Sequence, residues 1–301
     1  MAKAYPIIRD FNVGIEVGPA PLVGRVNVDA SLSQLNRRLY RQGRCYTLKV
    51  DLQSGLADNT QYTVYALANT WMLKKAWQAA FENYLNQTKE ERATFKGKLA
   101  RWNDFRLLLS NAYVGAGGMK AGLVQPDGTE DAVAGGESVV SQIVDDAGTT
   151  KYYGIGGSAG GNTFDILSEF VKLGSAQAEP STPESQVAYG STDTDLQDGE
   201  IDDVTDNGNL PPYAVNGAHV ATPWRKVGVL HSDTGGQRLS TGYFDAPLGI
   251  VIITRNDGSN HKLFSQGTEL SVEVKAGDYK GVHSTAMFDR ISVKPDRIEV
   301  R

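Results

Sequence analysis

Residues Gly156-Gly157-Ser158-Ala159-Gly160 have the G-x-S-x-G spacing that lifts a serine hydroxyl above a sheet on a sharp strand-to-helix turn. The surrounding stretch, KYYGIGGSAGGNTFDILSEFVKLG, reads as strand, glycine turn and helix, and it half fits a dinucleotide fingerprint. Acyl transfer would need a base, an acid to orient it and donors for an oxyanion. The histidines are His219, His231, His261 and His283, and Asp245 with His283 is the order available after the serine. The segments around them read as antiparallel strands, with no second βαβ unit. No His-Gly-Gly segment precedes Ser158, and no acidic residue sits on a following parallel strand as dinucleotide binding requires. The glycines are therefore read as a sharp loop or a close approach of two backbones. A serine hydrolase built on Gly156–Gly160 stands as the alternative function.

Two charged clusters could bind ligands. STDTDLQDGEIDD gathers Asp193, Asp195, Asp198, Glu200, Asp202 and Asp203, the oxygen ligands calcium takes. In an EF-hand register starting at Asp193, the sixth position is Asp198 rather than glycine. A solvated acidic loop is expected, with Asp193, Asp195 and Asp198 as the calcium candidates and otherwise no metal or cofactor. RRLYRQGR carries Arg37, Arg38, Arg41 and Arg44, which could meet nucleic acid or an acidic partner. On a strand those arginines would not share one face.

The elements that must position these residues are mostly strands. FNVGIEV, LVGRVNV, CYTLKVDL and YTVYAL are short, rich in Val, Tyr, Ile and Thr, and bounded by turn residues. In CYTLKVDL the alternation Tyr46, Leu48, Val50, Leu52 marks one buried sheet face. The period then changes. Leu73, Trp77, Ala80, Phe81 and Tyr84 recur at helical spacing, with Asn69 or Thr70 as cap. Thr88 and Glu91 read as a capping box for a second helix, with Phe95, Leu99, Trp102, Phe105 and Leu109 as its stripe and Arg92, Lys96, Lys98, Arg101 and Arg106 on its solvated face. The two form an inserted α-helical hairpin over 69–114. Strands return at AGLVQ, SVVSQIV and KYYGI, and FDILSEFVKL could be another. An acidic, turn-rich stretch over 175–213 follows, and beyond it only strands, with NDG at Asn256–Gly258 and KAGD at Lys275–Asp278 as hairpin turns.

Composition excludes several classes. The chain has 301 residues, 40% of them hydrophobic, which is enough for a sizeable core, and its net charge of −5 gives no global basic field. Its one cysteine, Cys45, allows neither an intrachain disulfide nor a thiolate zinc cluster, and it reads as a small core residue. No apolar run approaches the roughly 18 residues of a transmembrane helix. MAKAYPIIRDFNVGIEV has no long apolar run, so no export signal is expected.

QLNRRLYRQGRCYTLKVDL, followed near the end by STGYFDAPLGIVIITR, resembles jelly-roll major capsid (coat) proteins of small DNA viruses and phages. The shared features are an arginine-rich entrance to a strand and a proline-punctuated hairpin that feeds a buried one. The resemblance implies a mainly β protein, an antiparallel jelly-roll sandwich, that is not an enzyme. It would self-assemble into an icosahedral shell with copies of itself and other virion proteins, made in the host cytoplasm and located in the virion. Coats that package naked genomes usually carry a basic N-terminal arm, whereas residues 1–16 here hold only Lys3 and Arg9. Genome contact is thus left open. The departure and the count of about eight strands on either side of residue 175 favour a double jelly roll. Residues 1–175 would be the first roll with its helical hairpin, and 176–301 the second with the acidic stretch. A single jelly roll with large insertions is the alternative fold. Tyr5, Ile7, Ile8 and Phe11 are too apolar for a free tail and are expected to contact neighbouring subunits. A carbohydrate- or ligand-binding β module remains the further alternative function.

Ser158→Ala is expected to leave folding and function intact; fluorophosphonate labelling of the native protein at Ser158, lost in the variant, is the contrary result. Chelation by EDTA is expected to leave the melting midpoint unchanged, and a large drop restored by calcium would show that the acidic stretch binds metal.

Overall fold

A computed structural model describes residues 6–13, 23–54, 60–94, 104–109, 140–144, 148–155, 163–175, 224–232, 237–256, 268–287, 291–294 and 297–300. The chain begins with β1 (Asp10–Val13), β2 (Val23–Asn27), α1 (Val28–Asn36), β3 (Arg44–Ser54) and β4 (Thr60–Leu67). A long middle segment follows with α2 (Trp71–Gln87), α3 (Lys89–Thr94), β5 (Leu108–Leu109), β6 (Gln142–Val144), β7 (Thr150–Ile155), β8 (Thr163–Asp165) and α4 (Ile166–Ser175). Strands then resume as β9 (Trp224–Ser232), β10 (Gln237–Ser240), β11 (Phe244–Pro247), β12 (Ile250–Asn256) and β13 (Thr268–Val274). The last are β14 (Ala276–Gly277), β15 (Gly281–Val282), β16 (Ser284–Ala286), β17 (Ile291–Lys294) and β18 (Arg297–Val300).

The protein is mainly β, and its two principal sheets are antiparallel. One has the order β1-β13-β3-β10, with β11 and β16 also on β3; the other is β2-β12-β4-β9. β10 and β11 act as one interrupted strand along β3. The gap is bridged by Thr241, whose N–H donates to the Val50 carbonyl at 3.0 Å and whose Oγ1 accepts from the Val50 N–H at 3.0 Å. Every pair in both sheets joins a strand from residues 10–67 to one from 224–286. The pairs are nested: β1 with β13, β2 with β12, β3 with β10 and β11, and β4 with β9. The division expected at 175/176 into two consecutive sandwiches is therefore not how the described strands pair. The physical reason is that partners for the N-terminal strands lie at the far end of the chain.

Side-chain alternation explains the layers. Tyr46, Leu48, Val50 and Leu52 of β3 face Tyr62, Val64 and Ala66 of β4 and Val251 and Ile253 of β12 across one apolar core. Each buried Leu, Val or Ile among them contributes about 1.5–3 kcal/mol. The intervening residues of β12, Ile250 and Ile252, join a second core with Trp77, Phe105, Tyr153 and Leu248. The sheet of β12 is thus buried on both faces, which is why GIVII is a continuous apolar run. The opposite face of β3 carries Thr47, Lys49 and Asp51 toward solvent.

The helical expectation is met in its first half. The Leu73 N–H donates to Thr70 Oγ1 at 3.2 Å, the cap expected for α2. Thr88 departs from the capping box, because its hydroxyl donates back to the Tyr84 carbonyl at 2.7 Å and closes α2 instead. The second helix does not reach Leu109. α3 is described as far as Thr94, residues 95–103 lie outside the description, and 104–107 are non-helical and lead into β5. Phe105 still packs where the stripe put it, 5.3 Å from Trp77 and 5.5 Å from Phe81 between ring centroids. It does so from a non-helical segment whose backbone bonds to Ser141 and to the Gln42 side chain. FDILSEFVKL, considered as a strand, is β8 followed by α4, with Asp165 accepting from the Leu167 N–H at 3.2 Å as a cap.

Gly43 lies under α2: a Cβ there would meet Trp77 Cζ2 at 2.6 Å. Gly43→Ala is expected to cost about 1–3 kcal/mol by overpacking, and Trp77→Ala about 3–5 kcal/mol by cavity formation. In the double variant the Gly43→Ala cost should vanish, since its clash is gone. Full additivity in denaturant melts would contradict this contact.

Candidate functional site

The densest polar chemistry lies where α1, the loop after it and residues 104–107 meet. Ser33 Oγ donates to the Asp29 carbonyl at 2.6 Å and accepts from the Tyr40 N–H at 2.8 Å, which folds the loop back on α1. Arg37 caps α1 in the left-handed region, at φ 49°. Gln42 then meets residue 107 as a strand partner would: Leu107 N–H donates to its Oε1 at 2.6 Å, and its Nε2 donates to the Leu107 carbonyl at 3.4 Å. Arg106 is bonded through its backbone to Ser141, in both directions.

The Arg106 side chain enters this junction. Its Nη1 lies 2.9 Å from Asp29 Oδ2, its Nε 3.7 Å from Asp104 Oδ2, and Arg41 Nη1 lies 3.5 Å from Asp104 Oδ1. Asp29 is 0% exposed and Arg106 2%. Burial pushes the Asp29 carboxyl up to about 6, with Arg106 pulling the other way. Burial likewise raises Asp104, against Arg106 and Arg41. Arg106 was expected on a solvated helix face. It is instead the buried counter-charge of two carboxylates, because the chain has left the helix by residue 104. The signal available in the sequence was its setting, with Phe105 before it and three leucines after.

The basic cluster survives as a surface feature. Arg37, Arg38 and Arg41 are exposed, and Arg44 is half-buried. Arg44 Nε donates to Ser284 Oγ at 2.7 Å, and its guanidinium lies 3.7 Å from the Tyr279 ring centroid. The turn between β14 and β15 adds Lys280, whose Nζ donates to the Leu39 carbonyl. No local pattern marks this fifth cation, because Lys280 is far from the arginines in the chain.

The other expected sites divide. Ser158 with Gly156–Gly160, and Asp193, Asp195 and Asp198, lie outside the described residues. Contrary to expectation, a parallel strand does follow β7: β8 pairs with it in parallel and ends in the acidic Asp165, and α4 begins at Ile166. Asp245 and His283 do come together, on the outer face of β3. Thr47 Oγ1 donates to Asp245 Oδ1 at 2.7 Å and lies 3.0 Å from His283 Nδ1. The hydroxyl proton thus points at the carboxylate rather than at the imidazole, the reverse of a nucleophile–base–acid relay. Among the described residues, no group of three or more His, Cys, Asp or Glu side chains could hold a metal, and no helix is long and apolar enough to cross a membrane. At the N-terminus, Tyr5 is outside the description. Ile8 is 49% exposed, with its backbone held by Asn36 through two 2.9 Å bonds. Phe11 is buried in the first core, which removes it from the expected subunit contacts, because β1 is a sheet strand. Comparison with known proteins finds no matching family, curated protein or solved structure.

Ionising Asp29 opposes folding. Its stabilising contribution is complete below the ordinary value of 3.8 and is lost as pH rises through about 6. Removing Arg106 leaves that charge buried alone. Arg106→Met is expected to cost about 3–5 kcal/mol at pH 7 and clearly less at pH 5, where Asp29 takes a proton. Equal losses at both pH values, read from denaturant midpoints, would contradict the pairing.

Proposed function

We propose that this chain is the coat subunit of a small DNA virus or phage, a structural protein without catalytic activity that assembles with its own copies into a closed icosahedral shell. The observation that carries this reading is strand order. Numbering the eight sandwich strands along the chain, with β10 and β11 as one, gives sheets of order 1-8-3-6 and 2-7-4-5. Nested pairs in this order are what a long hairpin produces when it rolls up into a jelly roll. The form is the single roll, with residues 68–223 inserted at the hairpin tip. A double roll would have kept its pairs within each half of the chain.

A fold does not assign a function, and jelly rolls also serve lectins and cupins. The filling of this roll favours the shell. Tyr46, Leu48, Val50, Leu52, Tyr62, Val64, Val251 and Ile253 occupy the space between the sheets, where a ligand-binding roll needs room. One sheet has its outer face covered by α2 and the insertion, and the other faces solvent with Lys49, Asp51, Glu273 and Tyr243 in a linked polar array. A shell subunit must also meet several neighbours at once, over about 1,200–2,000 Å² for each stable contact. The exposed Ile8, Trp71, Val144 and Tyr152 supply apolar area for such contacts. Its partners are copies of itself and other virion proteins, its destination the virion after synthesis in the host cytoplasm.

Electron micrographs of the purified full chain are expected to show closed isometric particles. Monomers or dimers at every salt and pH tried would contradict the reading. Deleting residues 2–9, which leaves β1 and Phe11 in place, is expected to give a folded protein that closes fewer particles.

A further inference from the structure

We infer that Arg38, Arg41 and Lys280, with Arg37 and Arg44 beside them, form a site for the phosphates of a nucleic-acid backbone. The shell reading enters only in the choice of nucleic acid over other polyanions.

The geometry comes from two segments far apart in the chain that lock face to face. Tyr40 Oη donates to the Lys280 carbonyl at 2.9 Å, and the Arg41 N–H donates to Tyr279 Oη at 3.3 Å. Tyr40 and Tyr279 pack edge to face at 6.0 Å. Lys280 sits at φ 52°, a conformation that costs a non-glycine residue energy and must be held by its surroundings. Gly281 follows at φ 92°, and a side chain there would collide with Ile7, so the turn also carries the N-terminal segment. This strained turn places the Lys280 ammonium 5.8 Å from the Tyr40 ring and 5.6 Å from the Tyr279 ring, against the arginine loop.

Like charges are thereby held together. Lys280 is pushed below the ordinary lysine value, first by burial and then by Arg41 and Arg38, with Asp104 opposing. Asp104 offers little relief outside, because it is buried behind the loop and shared with Arg106. Arg41 is 56% exposed, and Arg37 and Arg38 also reach solvent. Guanidinium forks match phosphate oxygens in paired bonds. The Tyr279 ring is covered by Arg44 on one face, which removes that face from base stacking. Contacts to phosphates alone carry no sequence information. Residues 1–16 have only Lys3 and Arg9, so in a chain of net charge −5 this loop and turn are where a genome would be held.

The test is binding of a fluorescent 20-nucleotide oligo-dT to the full chain, measured against salt. Each phosphate contact adds about 0.7 to the slope of log K against log salt for a single strand. R38Q/R41Q/K280Q is expected to lose about 2 from that slope and at least about tenfold in affinity at low salt. R38Q alone, at an exposed position, is the second variant, with an expected loss of about 0.7. K75Q/K226Q, which removes exposed charges elsewhere, should bind as the parent does. Oligo-dC should bind like oligo-dT. Unchanged binding in both loop variants, absence of salt-dependent binding by the parent, or displacement of the oligonucleotide by polyglutamate of equal charge at equal concentration would overturn the inference. The last outcome would assign the site to an acidic protein. Particle formation, scored by electron microscopy on the same samples, decides the shell reading separately.

Discussion

The described sandwich depends on β3 having partners along both edges. Its eleven residues pair with β13 and then β16 on one side, and with β10 and then β11 on the other. Every one of those partners lies more than 180 positions later in the chain. The sheets therefore cannot form from either end of the protein alone. The loop-closure cost of such distant pairs rises only slowly with length, so a large insertion between β4 and β9 is tolerated thermodynamically. It slows folding more than it weakens the fold. The same constraint fixes the layers: once β3 is central, its alternate residues Tyr46 to Leu52 must be apolar on one side and polar on the other.

The insertion is docked by two different forces. α2 and the β5–β8 sheet press the aromatic group of Trp77, Phe81, Tyr84, Phe105 and Tyr153 onto the outer face of β12, where Ile250 and Ile252 wait. Next to this apolar contact, Arg106 reaches under α1 to Asp29. A buried ion pair is weak support for stability in itself, because desolvation offsets much of its attraction. Its value is positional. It joins α1 to the segment that Gln42 and Ser141 hold, and through Asp104 and Arg41 it connects both to the basic surface loop.

The sequence was legible where burial follows a local period. The β3 alternation, the α2 stripe and its Thr70 cap, and the strand runs that overlap β1, β2, β4, β9, β12 and β13 correspond to described elements, while residues 14–22 and 257–267 lie outside the description. Three things were not legible. The end of the second helix was missed because Phe105 and Leu109 happen to keep helical spacing with Trp102, while the backbone at 104–107 obeys partners 35 and 65 residues away. Arg106 was misplaced with it, since a buried arginine differs from an exposed one only by its distant carboxylate. The pairing of described strands from residues 10–67 with those from 224–286 could not be read locally, because pairing between distant segments leaves no trace in periodicity. The arginine loop was visible, and Lys280 was not, for that same reason.

The central claim, that this chain is a unit of a closed shell, is tested most directly by sedimentation velocity on the full chain. The account predicts that the 32.5 kDa chain sediments mainly as one sharp, discrete species in the megadalton range. A single boundary at the monomer or dimer, unchanged by concentration, salt or pH, would contradict it.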